Sequence, residues 1–344
     1  MLLVPVLLAA AAAQVPLEVS ANHAVERGKP VEVDLELPPG AGIVRVVEDG
    51  NEIPWQLDGG SLTFLLGSGL KAGQRRRVTV HLGSGAAAVA PRVKVGELDH
   101  AGQRSLKIET DNATYLYHMD GAGFASLYDK DGNDWITYRP GGGSAGEYRG
   151  IPNLGVYAHP GYAGESGGTS TVEARGPIRV RVRSESRDGG YVTIWDFFPQ
   201  FARLTLAKAA LPYWFLYEGT PGGKLDLDSD FVVTSTGLRR PVSESWSGDL
   251  PGPEWVYFGD GRLKRALFLA NHEDDEANDQ FWPMEGNMTV FGFGREYRCC
   301  GRYMTAAPAQ FTIGLLEDPE FARARVAVES AWRRVDVKVA PSVQ

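Results

Sequence analysis

Apolar and polar residues alternate along most of this chain, and long stretches with helical spacing are nearly absent. From residue 16 to about 97 the alternation comes in short runs, among them PVEVDLELPPG, IVRVVEDGNEIPWQL and SLTFLLGSGLKAGQRRRVTVHLG, parted by PPG, EDGNE, DGG and KAGQ. Successive side chains on a strand point to opposite faces, so these runs predict roughly four to seven antiparallel strands joined by tight turns. That is a small immunoglobulin-like β-sandwich over 15–97, without the cysteine pair of antibody domains. Its end, GSGAAAVAPRVKVGE (83–97), reads as an edge and a linker.

Beyond that point the runs lengthen: SLKIETDNATYLYHM, TSTVEARGPIRVRVRSES, YVTIWDF, ARLTLAKA, YWFLYEG, KRALFLANH and AQFTIGLLE. No break divides them, so 98–338 is expected to be one large antiparallel β-sandwich in which each sheet covers the other's apolar face. Near the end Phe321, Ala324, Val328, Ala331, Trp332 and Val335 recur at helical spacing. They predict a helix with Asp318 as N-cap and Pro319 as its first residue. The fold class is mostly β: a small N-terminal sandwich, a large supersandwich and a C-terminal helix.

Composition agrees, since 42 glycines and 21 prolines in 344 residues suit strands and turns. A net charge of −8 argues against a nucleic-acid partner, whose binding draws on clustered cations. In GPIRVRVRSESR one strand would align Arg179, Arg181 and Arg183 about 6.6 Å apart, either as an anion-binding row or as a face paired with acids on the next strand. The opening MLLVPVLLAAAAAQV carries an apolar run of about 13 residues ending in small alanines, which predicts a signal peptide over 1–14. Export to the periplasm or beyond follows, with no membrane anchor in the mature chain. Cys299 and Cys300 are adjacent and read as two ordinary thiols.

The densest chemistry lies in EYRGIPNLGVYAHPGY (147–162), WDFFP (195–199) and PYWFLYEGTPGG (212–223). Sugars present apolar C–H faces ringed by hydroxyls, so their sites need flat aromatics and short polar groups on fixed loops. Tyr148, Tyr157, Tyr162, Trp195, Tyr213, Trp214 and Tyr217 fit the first need, and Glu147, Arg149, Asn153, His159, Asp196 and Glu218 the second. The acidic loop NHEDDEANDQFWPMEGN adds His272, Trp282 and Glu285. No cofactor is expected, although calcium has two candidate loops. In DKDGNDW the acids Asp129, Asp131 and Asp134 fit a hairpin turn around Asp131-Gly132 better. In LDLDSD the acids Asp226, Asp228 and Asp230 would share a strand face.

Nucleophile elbow, Walker loop, dinucleotide fingerprint and HExxH helix are all missing. Two enzyme mechanisms stay open. In a polysaccharide lyase a cation or amide neutralises a uronate carboxylate, a base removes the C5 proton and an acid assists the leaving oxygen. His159 or Tyr148 would be base, Tyr162 acid and Arg149 with Asn153 the neutraliser, with Trp195, Tyr213, Tyr217 and Trp282 as stacking platforms. A glycoside hydrolase would draw two carboxylates from Glu147, Asp196, Glu218 and Glu285. A non-catalytic glycan-binding protein is the third reading. The second domain resembles the galactose-mutarotase-like β-supersandwich of polysaccharide lyases and sugar epimerases. LKIETDNATYLYHMDGAGFASLYDKDGNDWI at its opening and AQFTIGLLED at its close carry the resemblance. The resemblance implies a concave sheet face that holds an oligosaccharide, with tyrosine, histidine and arginine or asparagine drawn from that face and its loops.

Overall fold

The computed structural model describes residues 14–84, 89–155, 167–296, 301–302 and 304–340. It is mostly β, with 52% strand and 6% helix. The chain divides into two compact units, residues 1–90 with 334–344, and residues 91–333.

The first unit holds a five-stranded and a three-stranded antiparallel sheet. In Arg75–Gly83 the residues Val78, Val80 and Leu82 are buried while their neighbours face outward, as the alternation predicts. They pack with Leu17, Val19, Val46, Leu62 and Phe64. The last strand of this unit is Asp336–Val339, which pairs with Gln14–Ser20 through Leu17↔Val339. The sequence had kept that segment with the large domain, because four alternating residues, DVKV, carry no sign of which sheet edge they will join. At the other boundary Lys94–His100, which straddles residue 97, pairs with Gln103–Glu109 in the large unit.

The large unit is built from two nine-stranded antiparallel sheets. In the first, the strands run in the order Trp246–Gly248, Asp279–Met284, Met288–Phe293, Phe215–Gly219, Gly150–Asn153, Gly123–Asp129, Ala113–His118, Gln103–Glu109 and Lys94–His100. The second is centred on Tyr191–Phe197, Phe201–Ala209, Ala309–Leu316 and Ala266–Asn271. Aromatic pairs join the two: Phe124 with Trp195 and Phe215 with Phe311, each at 4.4 Å between ring centres. Such pairs add to burial through edge and offset geometry.

The helix Phe321–Trp332 covers the outer side of the second sheet, placing Ala324 and Val328 against Phe231, Trp255, Tyr257 and Phe268. Its N-cap is Glu320, whose carboxylate accepts the N–H groups of Ala322 and Arg323. Asp318, the residue expected there, instead accepts the Glu320 N–H at 2.9 Å. The chain turns into the helix two residues later than its sequence suggested.

Candidate functional site

In Phe215–Gly219 the rings of Phe215 and Tyr217 enter the core, so Leu216 and Glu218 occupy the sheet's other face. Strand register extends that face sideways. Glu218 is opposite Gly150 on one side and Val290 on the other, and Val290 is opposite Trp282. One row along, Leu216 lies between Asn153 and Gly292, and Gly292 is opposite Gln280. Opposed residues share a face and strands lie about 4.8 Å apart, so Trp282 stands roughly 9.6 Å from Glu218 on the same side.

Polar groups converge between them. Asn153 Nδ2 donates to Glu218 Oε2 at 3.1 Å, while Asn153 Oδ1 accepts the Gly155 N–H at 2.9 Å. Gly292 makes room for the third member: a Cβ there would lie 2.2 Å from Leu216 Cδ2 and 3.1 Å from Arg295 Cβ. Arg295 therefore folds over a bare patch of backbone. Burial pulls its guanidinium below the usual value and the Glu218 charge opposes that pull. Glu218 and Arg295 are 7% and 5% exposed, and the Arg295 guanidinium carbon is 5.9 Å from the Trp214 ring centre. Gln280 Oε1 is buried with no hydrogen-bond donor among the described residues. A carboxylate, two amides, a guanidinium and indoles on one sheet face are a set that can receive hydroxyls and stack on a ring.

Of the residues singled out in the sequence, Asn153, Trp214, Glu218 and Trp282 come together here. Tyr148 is 45% exposed and lies two residues before Gly150, the register partner of Glu218. Glu147 is near by in sequence and accepts the Gly141 N–H at 2.9 Å. His159, Tyr157 and Tyr162, like the leader, Cys299 and Cys300, lie outside the described residues.

The remaining assignments are corrected by what surrounds each side chain. Arg149 is buried and donates to three carbonyls, those of Ala145, Thr137 and Asn287 at 2.7, 3.0 and 3.0 Å. Its fork is filled by backbone, so it braces loops and cannot neutralise a substrate carboxylate. Desolvation, with Arg139 near by, lowers it to about 10. Trp195, Tyr213 and Tyr217 are 0% exposed, and a ring with no free face cannot stack on a sugar. Their polar tips bond the carbonyls of Ala122, Ala306 and Trp135. Asp196 lies on the second sheet, held by both arms of Arg181 at 2.7 and 2.8 Å with Arg203 at 3.5 Å. Arg179 and Arg181 of the arginine row thus face an acid on the next strand, while Arg183 pairs with Glu185 on its own strand at 3.7 Å. His272 is on that sheet's outer side as well, bonded to Thr312 Oγ1 at 2.8 Å and packed on Trp332. Glu285 is exposed in the hairpin turn beyond Trp282, with φ 53°.

The two calcium candidates resolve into turns. Asp129 collects the N–H groups of Asp131 and Asn133 together with the Trp135 indole, around Gly132 at φ 87°. LDLDSD is no strand: Asp226 O accepts the Asp230 N–H at 2.9 Å and Asp230 Oδ2 accepts the Asp226 N–H at 2.8 Å. A group the sequence did not reveal is Asp249, Glu254 and Asp279, whose carboxylate oxygens all lie within 4.8 Å of one another. Asp249 and Glu254 close the two ends of one loop and Asp279 opens a strand some 25 residues on, so no single local motif announces the three together. Glu254 also accepts from Asn271 Nδ2 at 2.7 Å, and Asp279 from the Leu250 and Gly294 N–H groups. Arg295 and Gln280 were missed for a related reason: Gln280 ends a run of acids that reads as a loop, and Arg295 is one of several charged residues in GREYR, so neither stands out from its neighbours.

No protein-family model matches the chain, and no curated protein matches it. Among solved structures it is similar to one titled "Crystal Structure Analysis of HI1317", at 14% identity and a TM-score of 0.45 over 67% of this chain and 97% of that one.

Proposed function

We propose that the protein is a carbohydrate-active enzyme that binds a polysaccharide on the side of its first nine-stranded sheet opposite the core and cleaves it by β-elimination at a uronate. The observation that carries this reading is the Glu218–Asn153 pair beside Arg295, aligned with Trp282 on a face turned away from the core. Trp282 offers a stacking surface, while Glu218 and Asn153 receive sugar hydroxyls. Arg295 takes over the cationic role first given to Arg149, stabilising charge that develops on the carboxylate as the C5 proton leaves. Tyr148, an exposed side chain two residues before Gly150, is assigned as the base: as phenolate it takes the C5 proton and, as phenol, returns a proton to the departing glycosidic oxygen. Elimination is favoured over hydrolysis because, of the carboxylates that could join Glu218 in a glycosidase pair, Asp196 belongs to the other sheet, Glu285 to a hairpin tip beyond Trp282, and Glu147 is engaged by the Gly141 N–H. The leader adds the expectation that this occurs outside the cytoplasm.

The test is to incubate the chain with a panel of uronate polysaccharides while following absorbance near 235 nm, and to assay reducing ends on neutral glycans alongside. Rising absorbance is the expected result, since elimination leaves a C4–C5 double bond conjugated to the carboxylate. Reducing ends without absorbance would replace elimination by hydrolysis. Glycan binding with neither signal would make the protein a non-catalytic binder.

A further inference from the structure

Next to Glu218 the fold brings two guanidinium groups together over one indole ring. Arg295 and Arg302 are directly opposite each other on a short antiparallel pair. Both guanidinium groups lie over Trp214, at 5.9 and 5.1 Å from the ring centre. Like charges directly opposed across strands repel, although an indole face attracts each cation. Arg295 has Glu218 near it, whereas Arg302 is exposed and forms no ion pair among the described residues. Trp214 is 8% exposed, and its Nε1 donates to no acceptor among them.

The backbone is shaped around this pair. Gly155 has φ +72°, and a Cβ on it would lie 2.8 Å from Arg302 Nε and 3.3 Å from Trp214 Nε1. A left-handed glycine therefore keeps that side of the guanidinium and the indole N–H clear of side chain. Asn153, which bonds Glu218, also holds the Gly155 N–H, so the carboxylate and the cationic corner share one support.

We infer that Arg302, stacked on Trp214 and seconded by Arg295, is the residue that reads the acidic group of the sugar chain, a uronate carboxylate, and so sets substrate specificity. This rests on the reading of the same face as a glycan site. A guanidinium fork accepts both oxygens of a planar carboxylate in parallel, and stacking on the indole holds the fork's plane in place. A bound carboxylate also relieves the repulsion between the two arginines.

The experiment is calorimetric titration with three probes: oligogalacturonate, a neutral galacto-oligosaccharide of equal length and a sulfated galacto-oligosaccharide. Wild type, Arg302→Gln and Arg302→Lys are compared, with thermal unfolding as the check on folding. Wild type is expected to prefer oligogalacturonate. Arg302→Gln should weaken that binding by about tenfold or more while the neutral ligand and the melting temperature are unchanged, and Arg302→Lys, which keeps charge without the fork, should fall between. Equal binding of acidic and neutral chains, unchanged in Arg302→Gln, would overturn the specificity role and leave the glycan site standing. A preference for the sulfated chain would overturn the carboxylate assignment. Failure of wild type to bind any of the three would overturn both.

Discussion

Arg149 and Glu218 are both nearly buried, and the groups they face separate a brace from a chemical group. Arg149 spends its donors on three carbonyls, whereas Glu218 accepts from the Asn153 amide and lies in the field of an arginine. Arg149→Met should therefore cost about 2–4 kcal/mol in urea unfolding, through carbonyls left buried without donors. A midpoint within a few tenths molar of wild type would contradict the bracing role. Exposure was the property the sequence hid at this scale. In YVTIWDF the alternation already aligned Tyr191, Trp195 and Phe197 on one apolar face, and all three are core. Strand parity thus identified Trp195 as core more reliably than its aromatic character identified it as a platform. Trp282 carried no such signal, because its neighbours Phe281 and Pro283 leave the parity ambiguous.

Among elements, the loop end at Glu254 and the strand start at Asp279 bring buried carboxylates together. Burial first, and then their carboxylate neighbours, raise Glu254 to about 7 and Asp279 to about 8. Asp274 and Asp275 face Glu254, Glu254 and Asp275 face Asp279, and Asp249 completes the group. In the unfolded chain these acids titrate near pH 4, so between about pH 4 and 8 the folded state holds more protons than the unfolded one. Stability must then fall as pH rises through that window. Urea unfolding at about pH 5.5 and 8.5 should show the loss, and Asp279→Asn should flatten the dependence. A stability that rises over the same range in wild type would contradict the buried, protonated pair. The helix was legible as an element because Ala324 and Val328 keep their spacing, but its start was not, since Asp318, Pro319 and Glu320 all suit a helix entrance. The strand Asp336–Val339 shows the opposite case, a segment whose partner is at the far end of the chain.

At the scale of the whole molecule, the sandwich class follows from alternation and turn chemistry, because both are local. The site is not local. Asn153, Glu218, Trp282 and Arg295 are spread over more than a hundred residues and meet only because Asp279–Met284, Met288–Phe293, Phe215–Gly219 and Gly150–Asn153 lie side by side. The strand order that joins them is set by packing between sheets, and no short motif encodes it. The sheet face opposite the core of the first sheet is thus where the chemistry is assigned, and the outer side of the second sheet, with Asp196 and His272, is excluded from it. The most direct measurement is the initial rate of absorbance rise near 235 nm on a uronate polysaccharide for wild type, Glu218→Gln and His272→Gln. The account predicts that Glu218→Gln, which loses a charged acceptor for the sugar hydroxyls, slows by about tenfold or more at low substrate while staying folded, and that His272→Gln keeps the wild-type rate. A fully active Glu218→Gln beside an inactive His272→Gln would place the site on the other sheet and contradict it.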